Sequence, residues 1–169
     1  MNSRILRLVI SALCCIGLST AALPTAAAYV DPTTGRPSAR KVLRPFDKPA
    51  QNWLPGHRGV DLDAPIGSDI LAAEDGAVAF VGVVAGTPTL SIDHADGIRT
   101  TYQPVHAVVE RGAQVKEGQL IGRLGHPFDG YPGLHWGAKR GEDYLNPLSL
   151  LDAPVIRLKP VGGRGGRPL

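Results

Sequence analysis

The chain has 169 residues, with 18 Lys and Arg against 15 Asp and Glu, giving a formal charge of +3 at pH 7. This length suits one domain with its own core and is short for two. A nearly neutral chain is poorly suited to neutralising phosphates, so the charge does not favour a nucleic-acid partner. The two cysteines, Cys14 and Cys15, lie close to the start, which excludes thiolate metal sites and cysteine nucleophiles from the rest of the chain.

Residues 1–28 have the pattern of a secretory signal peptide. Arg4 and Arg7 give a positive start, and an uncharged, mostly apolar run follows from Leu8 to Leu23. Ala26 to Ala28 then supplies the small residues that signal peptidase requires. The apolar run is short for a membrane-spanning helix of about 20 residues. The pattern predicts cleavage after Ala28 and a protein that is secreted to the cell wall without a stable membrane anchor.

Composition divides the remaining chain into three parts. Residues 29–51 are rich in Pro, Thr, Arg and Lys and predict an extended lead-in, of which Val42 to Phe46 is the part expected to dock. Residues 52–153 are the predicted domain. Residues 154–169 are rich in Gly and cations and predict a flexible basic tail.

The segments that follow Ile70 have the pattern of β-strands. They are short, rich in Val, Ile and Thr, and separated by Gly, Pro and Asp. His94 to Gly97 (HADG) predicts a hairpin turn, and Asn146 to Leu151 (NPLSLL) predicts a single closing helical turn. The pattern therefore predicts an all-β domain, a small antiparallel sandwich or part-barrel.

GHRGVD at Gly56 to Asp61 and LHW at Leu134 to Trp136 contain ligands suited to a divalent metal. His57, Asp61 and His135 would supply two imidazoles and a carboxylate, and three protein ligands leave a fourth position open, as in catalytic zinc sites. Each residue alone is more often structural. A straight strand would separate the Cα atoms of His57 and Asp61 by about 13 Å, so we expect a bend near Gly59.

A family resemblance supports this combination of residues. GHRGVDLDAPIGSDILAAEDGAVAFVG resembles the first half of the lysostaphin-type (LytM-like) zinc metallopeptidases, and RTTYQPV, VERGAQVKEGQLIGRLG and GLHWGAKR follow in the family's order. The resemblance covers roughly Phe46 to Leu151. It implies a twisted antiparallel β-sandwich of the duplicated hybrid motif type, with zinc on His57, Asp61 and His135. It also implies hydrolysis of peptide bonds in bacterial peptidoglycan, with a zinc-bound water as the nucleophile.

The chain departs from the family at two positions. The family's HxH signature reads GxH here, with Gly133 in place of the first histidine. The family's YxH arrangement reads Tyr102-Gln103-Pro104, so its histidine is replaced by Pro104. In the family these two histidines surround the zinc-bound water. The chain keeps the implied metal ligands and lacks both of these histidines.

Two residues are candidates for the missing roles. His126 lies in the loop between Gly125 and Pro127 and could accept a proton from the water, since a histidine titrates near neutral pH. The alternative for His126 is an exposed loop histidine. Tyr102 is a candidate donor to the transition state.

The sequence leaves two main functions open. The first is a secreted zinc metalloendopeptidase that acts on peptidoglycan peptides. The second is a catalytically inactive, cell-wall-associated binding or regulatory module with the same fold and metal site, with an envelope protein as a possible regulatory partner. A lipoyl-type carrier is less suitable, because Lys116 does not have the exposed hairpin-tip setting that such a domain needs.

Overall fold

The computed structural model describes residues 29–127 and 130–151. The predicted signal peptide, residues 1–28, and the predicted basic tail, residues 154–169, lie outside the described residues. No helix in the described part is long and apolar enough to cross a membrane. The strands of the described part are, in chain order, β1 (Val42–Arg44), β2 (Gly59–Leu62), β3 (Asp69–Leu71), β4 (Gly76–Val84), β5 (Thr87–His94), β6 (Ile98–Gln103), β7 (Val105–Ala107), β8 (Gln114–Val115), β9 (Leu120–Leu124), β10 (Leu134–Arg140) and β11 (Asp143–Leu145).

These strands form two antiparallel sheets. The larger sheet has the order β1-β2-β10-β6-β5-β4-β8, and β11 pairs with the second half of β10. The smaller sheet has the order β3-β9-β7. The described residues contain no α-helix, and neither sheet closes into a barrel. The all-β, antiparallel prediction is confirmed.

Strand alternation turns one face of the larger sheet towards a shared core. Ile98 and Tyr102 on β6 and Leu134 and Trp136 on β10 are all at most 1 % exposed. Burying an aromatic side chain removes about 200 Å² from water, worth about 5 kcal/mol. Trp136 and Tyr102 are cross-strand partners in the β10–β6 pair. Their burial fixes which face of β6 and β10 points outward.

The two predicted turns are also confirmed. β5 ends at His94 and β6 begins at Ile98, with Gly97 at φ +80° in the connection. Glycine adopts this backbone conformation without a Cβ penalty. The predicted closing turn is a short 3-10 helix, Pro147–Leu150, whose N-cap Asn146 accepts a hydrogen bond from the Leu148 backbone N–H.

The segment predicted as a lead-in contributes more to the core than its composition indicated. Tyr29 is 1 % exposed, its ring packs edge-on against His94 with centroids 5.1 Å apart, and its N–H donates to the Leu150 carbonyl at 3.2 Å. The expected docking part does contain β1, which pairs with β2. The sequence around Tyr29 has no hydrophobic period that would indicate this burial. The limits 52–153 stay a prediction.

His94 is part of a buried polar network at the end of β5. Its Nδ1–H donates to the Asp75 carbonyl at 2.8 Å, which leaves Nε2 to accept from the Thr100 hydroxyl at 2.7 Å. Burial lowers the pKa of His94, although the hydrogen bond to Asp75 and nearby carboxylates act in the opposite direction. The folded protein therefore holds a neutral imidazole at this position.

We expect His94 to make the stability of the fold depend on pH. The folded pKa lies below the unfolded value near 6.5, so the unfolded state takes up a proton first as the pH falls. The contribution of His94 to the free energy of unfolding should be complete above about pH 6.5. It should decline below that pH, with a slope of at most about 1.4 kcal/mol per pH unit. Urea unfolding between pH 7.5 and 5 should show a smaller slope for His94→Gln than for the wild type. His106→Gln, at an exposed histidine on β7, is the control. Equal slopes for His94→Gln and the wild type would contradict the assignment.

Candidate metal centre

The register of four neighbouring strands places a row of polar side chains on the outer face of the larger sheet. His135 on β10 lies opposite Asp61 on β2 and opposite Gln103 on β6. Arg44 on β1 lies opposite Asp61. Directly opposed side chains on one face have Cβ atoms about 5 Å apart, close enough to interact. Because Trp136 faces the core, its neighbour His135 faces outward.

His57 joins this row from the segment before β2. Its backbone pairs with Asp47 in an isolated bridge, and the chain bends at Arg58, immediately before Gly59. The bend was predicted near Gly59 and is confirmed. It brings His57 Nε2 to within 3.1 Å of Asp61 Oδ1.

Three ligand atoms converge at this point. Asp61 Oδ1 lies 3.1 Å from His57 Nε2 and 3.0 Å from His135 Nδ1, and the two histidine nitrogens are 3.0 Å apart. Around a tetrahedral zinc ion with bonds of about 2.05 Å, ligand atoms are about 3.3 Å apart. Among the described residues this is the one group of three or more His, Cys, Asp and Glu side chains whose ligand atoms all lie within 4.8 Å of one another. The donor set fits zinc.

Hydrogen bonds and charges next to His57 and Asp61 favour their use as metal ligands. His57 Nδ1–H donates to the Pro45 carbonyl at 2.7 Å, so the lone pair of Nε2 faces the other ligands. Burial alone would raise the pKa of Asp61. The hydrogen bond with His135 and the charges of His57, His135 and Arg44 outweigh burial and hold the pKa below its usual value. The carboxylate is thus available as an anion.

The second oxygen of Asp61 faces Arg44. Asp61 Oδ2 and Arg44 Nε are 3.1 Å apart, an ion pair whose alignment falls short of a hydrogen bond. Both atoms are buried. Arg44 therefore leaves Oδ1 of Asp61 as the oxygen directed at the two imidazoles.

Gly59 leaves room for the ring of His135. A Cβ at Gly59 would lie 2.6 Å from Cε1 and 2.8 Å from Nε2 of that ring, and 2.6 Å from the Trp136 carbonyl oxygen. At Gly137, the cross-strand partner of Gly59, the nearest atom to an added Cβ would be 3.6 Å away. The histidine ring can occupy its position only because residue 59 has no side chain.

A cavity of about 150 Å³ opens beside the ligands. Its lining residues are Arg44, Asp61, Thr87, Gln103, Pro104, Tyr131, Gly133 and His135. Both positions at which the chain departs from the family's histidines are therefore in the cavity wall. Gly133 has φ +90°, and a Cβ there would lie 2.2 Å from the Leu62 carbonyl oxygen. The backbone at this position has no room for a side chain.

The expectation that Tyr102 donates to a transition state is wrong. Its side chain is 0 % exposed and faces the core. Its hydroxyl accepts from the Ala73 N–H at 3.1 Å and shares a hydrogen bond of 2.9 Å with the Thr100 hydroxyl. Burial raises the pKa of Tyr102 to about 12. The next residue on β6, Gln103, faces the cavity instead, and sequence reasoning missed it.

His126 is exposed, in the loop between β9 and β10. It is not among the described residues that line the cavity, although Tyr131 and Gly133 of the same loop are. The structure therefore brings together the three expected metal ligands and leaves His126 outside their immediate surroundings. Its role as a base stays a prediction.

Comparison with known proteins decides the family. Residues 55–147 match peptidase family M23. The chain belongs to this family. The matched range includes all three candidate ligands.

Individual relatives agree with this assignment. The uncharacterized protein Rv2891 of Mycobacterium tuberculosis is 44% identical over 131 residues, which are 73% of this chain and 53% of that protein. The chain thus spans about half the length of this curated relative. The structure of Helicobacter pylori Csd3 aligns with a TM-score of 0.60 and 31% identity, over 76% of this chain and 35% of Csd3. The catalytic domain of the antimicrobial peptidase lysostaphin from Staphylococcus simulans aligns with a TM-score of 0.51 and 26% identity, over 58% of this chain and 78% of that domain. The resemblance to lysostaphin-type peptidases is confirmed.

We expect the protein to bind one zinc ion per chain, and we expect Gly59→Ala to weaken that binding. The added methyl group would displace the His135 ring from the other two ligands. Gly137→Ala is the matched control, because a Cβ there makes only ordinary contacts. Zinc content after gel filtration and competition with a chromophoric chelator would measure both effects. Wild-type protein that stays free of metal, or equal zinc affinity in the two variants, would contradict this account.

Proposed function

We propose that the chain is a secreted zinc metalloendopeptidase that hydrolyses peptide bonds of bacterial peptidoglycan. The observation that carries the proposal is the convergence of His57, Asp61 and His135 beside an open cavity. Membership of peptidase family M23 and the alignment with the lysostaphin catalytic domain support the choice of a peptidase.

The candidate ligands, their neighbours and the cavity would have different roles in hydrolysis. Bound at His57, Asp61 and His135, zinc would supply a Lewis acid for the scissile carbonyl and would lower the pKa of a water towards about 7. Pro45 and Arg44 hold the first two of these side chains in place. The cavity, which adjoins Asp61 and His135, is where the peptide bond would lie.

Hydrolysis also needs a group that accepts a proton from the attacking water. Three described histidines lie outside the metal ligands: His94, His106 and His126. His94 is buried in the hydrogen-bond network of the core, and His106 lies on β7 of the smaller sheet. His126 belongs to the loop whose later residues line the cavity, and we propose it as the base.

We expect measurable turnover of peptidoglycan cross-links by the zinc-loaded protein, and a fall of at least about a hundredfold for His126→Ala with zinc still bound. A dye-release assay on purified peptidoglycan, with zinc measured in each sample, would test this. His106→Ala, which removes another exposed histidine, should leave turnover unchanged. Equal activity of His126→Ala and the wild type would remove His126 from the mechanism.

One observation favours the second candidate, a non-hydrolytic binding or regulatory module of the cell wall with the same metal site. Gly133 and Pro104 stand at the positions of the family's helper histidines, and both line the cavity. Neither residue has a side chain that can accept or donate a proton. The same assay separates the two candidates, because the module would bind zinc and peptidoglycan and show no turnover.

Secretion rests on the pattern of residues 1–28. Exported protein should begin at Tyr29, because Ala26 to Ala28 provides the cleavage signal. N-terminal sequencing of culture fluid and wall fractions would check this expectation. Full-length protein that begins at Met1 in those fractions, or protein that remains with the membrane, would contradict it.

A further inference from the structure

Trp53 is the most exposed large apolar side chain in the part of the chain that the structure describes. Its relative exposure is 79 %, whereas Trp136, the other tryptophan, is fully buried in the core. Tryptophan is on average a well-buried residue, because its large ring gains much from leaving water. Within residues 29–127 and 130–151, the Trp53 indole makes no hydrogen bond and no ring contact. The whole ring is therefore available to a ligand.

One arginine holds the backbone of the Trp53 loop, residues 48–56, on both sides of the tryptophan. The Nη2 group of Arg58 donates to the Asn52 carbonyl and, at 2.8 Å, to the Leu54 carbonyl. The Asn52 side-chain amide in turn donates to the Glu142 carbonyl at 3.0 Å. The loop is thus ordered before a ligand arrives, which lowers the entropy that binding costs.

Arg58 also places the Trp53 loop beside the face of the larger sheet that carries the candidate metal ligands. On β10, Lys139 points to the same side as His135, because side chains alternate along a strand and four residues separate the two. Tyr144 on β11 lies opposite Lys139, and the central carbon of Arg58 is 5.7 Å from the centre of the Tyr144 ring. We call Trp53, Arg58, Lys139 and Tyr144 the Trp53 surface. Four residues of strand measure about 13 Å, so one extended molecule can reach from this surface to the metal ligands.

The chemistry of the Trp53 surface suits an N-acetylated sugar. The C–H groups on one face of a sugar ring carry small positive charges and pack against the negative face of an aromatic ring. The hydroxyl and acetamido groups at the edge of the sugar need hydrogen-bond partners. Within the described residues, Nε and Nη1 of Arg58 make no hydrogen bond, and like the indole N–H of Trp53 they can donate to sugar oxygens.

A protein partner suits the Trp53 surface less well. Interfaces between proteins bury about 800 Å² on each side, around a hydrophobic centre. Of residues 48–56, all of which the structure describes, Trp53 and Leu54 are the only exposed large apolar side chains. A single aromatic face within a polar rim complements a sugar, which is apolar on its face and polar at its edge.

We propose that the Trp53 surface binds the glycan strand of peptidoglycan, with one N-acetylated sugar stacked on the indole of Trp53. This inference rests on the proposed function for the choice of peptidoglycan, in which the peptides are attached to the sugars. About four extended residues of peptide span about 13 Å, so a sugar on this surface and a peptide at the metal ligands can belong to one substrate molecule. The sugar contact is remote from the bond to be hydrolysed and leaves internal peptide bonds as the target.

The test measures binding of the soluble oligosaccharide tetra-N-acetylchitotetraose to the zinc-loaded protein by calorimetry. The wild type should bind it, and Trp53→Ala should weaken the binding at least about tenfold, as expected when an aromatic residue at the centre of a contact is truncated. Trp53→Phe should keep part of the affinity, because an aromatic face remains. Val108→Ala is the matched control. It shortens another exposed apolar side chain, directly after β7 of the smaller sheet, and should leave the affinity unchanged.

Tryptophan fluorescence locates the bound sugar. Iodide quenches exposed indoles and does not reach buried ones, so Trp53 should be quenched in the free protein and Trp136 should not. The saccharide should protect the emission of Trp53 from iodide. Trp53→Ala should show little quenching with or without the saccharide.

Failure of the wild type to bind the saccharide would overturn the inference, as would equal affinities of the wild type and Trp53→Ala or an equal loss in Val108→Ala. Protection of Trp53 by a sugar-free stem peptide, without binding of the saccharide, would make the loop a peptide site and would also overturn it. Saccharide binding that Trp53→Ala loses, in a protein without turnover of cross-links, would support the sugar site and reject the proposed hydrolysis. Turnover without saccharide binding would do the reverse.

Discussion

The candidate metal centre depends on the register of β10 between β2 and β6. His135 can meet Asp61 only if β10 pairs with β2 as observed, and a slip of one residue would turn its side chain to the other face of the sheet. Trp136 prevents that slip, because its large apolar side chain is fully buried and would become exposed. Hydrophobic packing on one face of β10 thus sets the ligand geometry on the other.

The same register explains the parts of the centre that the sequence could and could not predict. His57, Asp61 and His135 follow from residue types and a family resemblance, and the all-β fold follows from composition and turn residues. The sequence assigns Tyr102 to the site because it is the tyrosine of the family's YxH arrangement, which reads Tyr102-Gln103-Pro104 here. Period-2 alternation relative to Trp136 would have assigned Tyr102 to the core and Gln103 to the cavity, but only once the β10–β6 pairing was known.

The place of Arg44 beside Asp61 and the burial of Tyr29 were not predicted, for a different reason, although Val42 to Phe46 was expected to dock. Both belong to a polar segment rich in proline, in which no hydrophobic period indicates a strand or a core contact. Arg44 enters the centre through β1, a strand of three residues whose pairing with β2 contains an irregularity. Tyr29 is buried through contacts with residues far along the chain, His94 and Leu150. Long-range pairings of short segments leave little trace in local sequence.

Gly133 and Pro104 remove two side chains that could transfer protons from the cavity wall. They also change the electrostatics of the cavity. A histidine changes its charge near neutral pH, so a wall with two histidines would gain or lose positive charge under physiological conditions. Arg44 provides a charge that does not change over that range. Its pairing with Asp61 also means that the charge cannot be removed without altering the surroundings of a candidate metal ligand. In this cavity a fixed positive charge and the orientation of Asp61 are therefore coupled through one side chain. If the protein hydrolyses peptides, the proton acceptor would lie outside the lining that the structure describes.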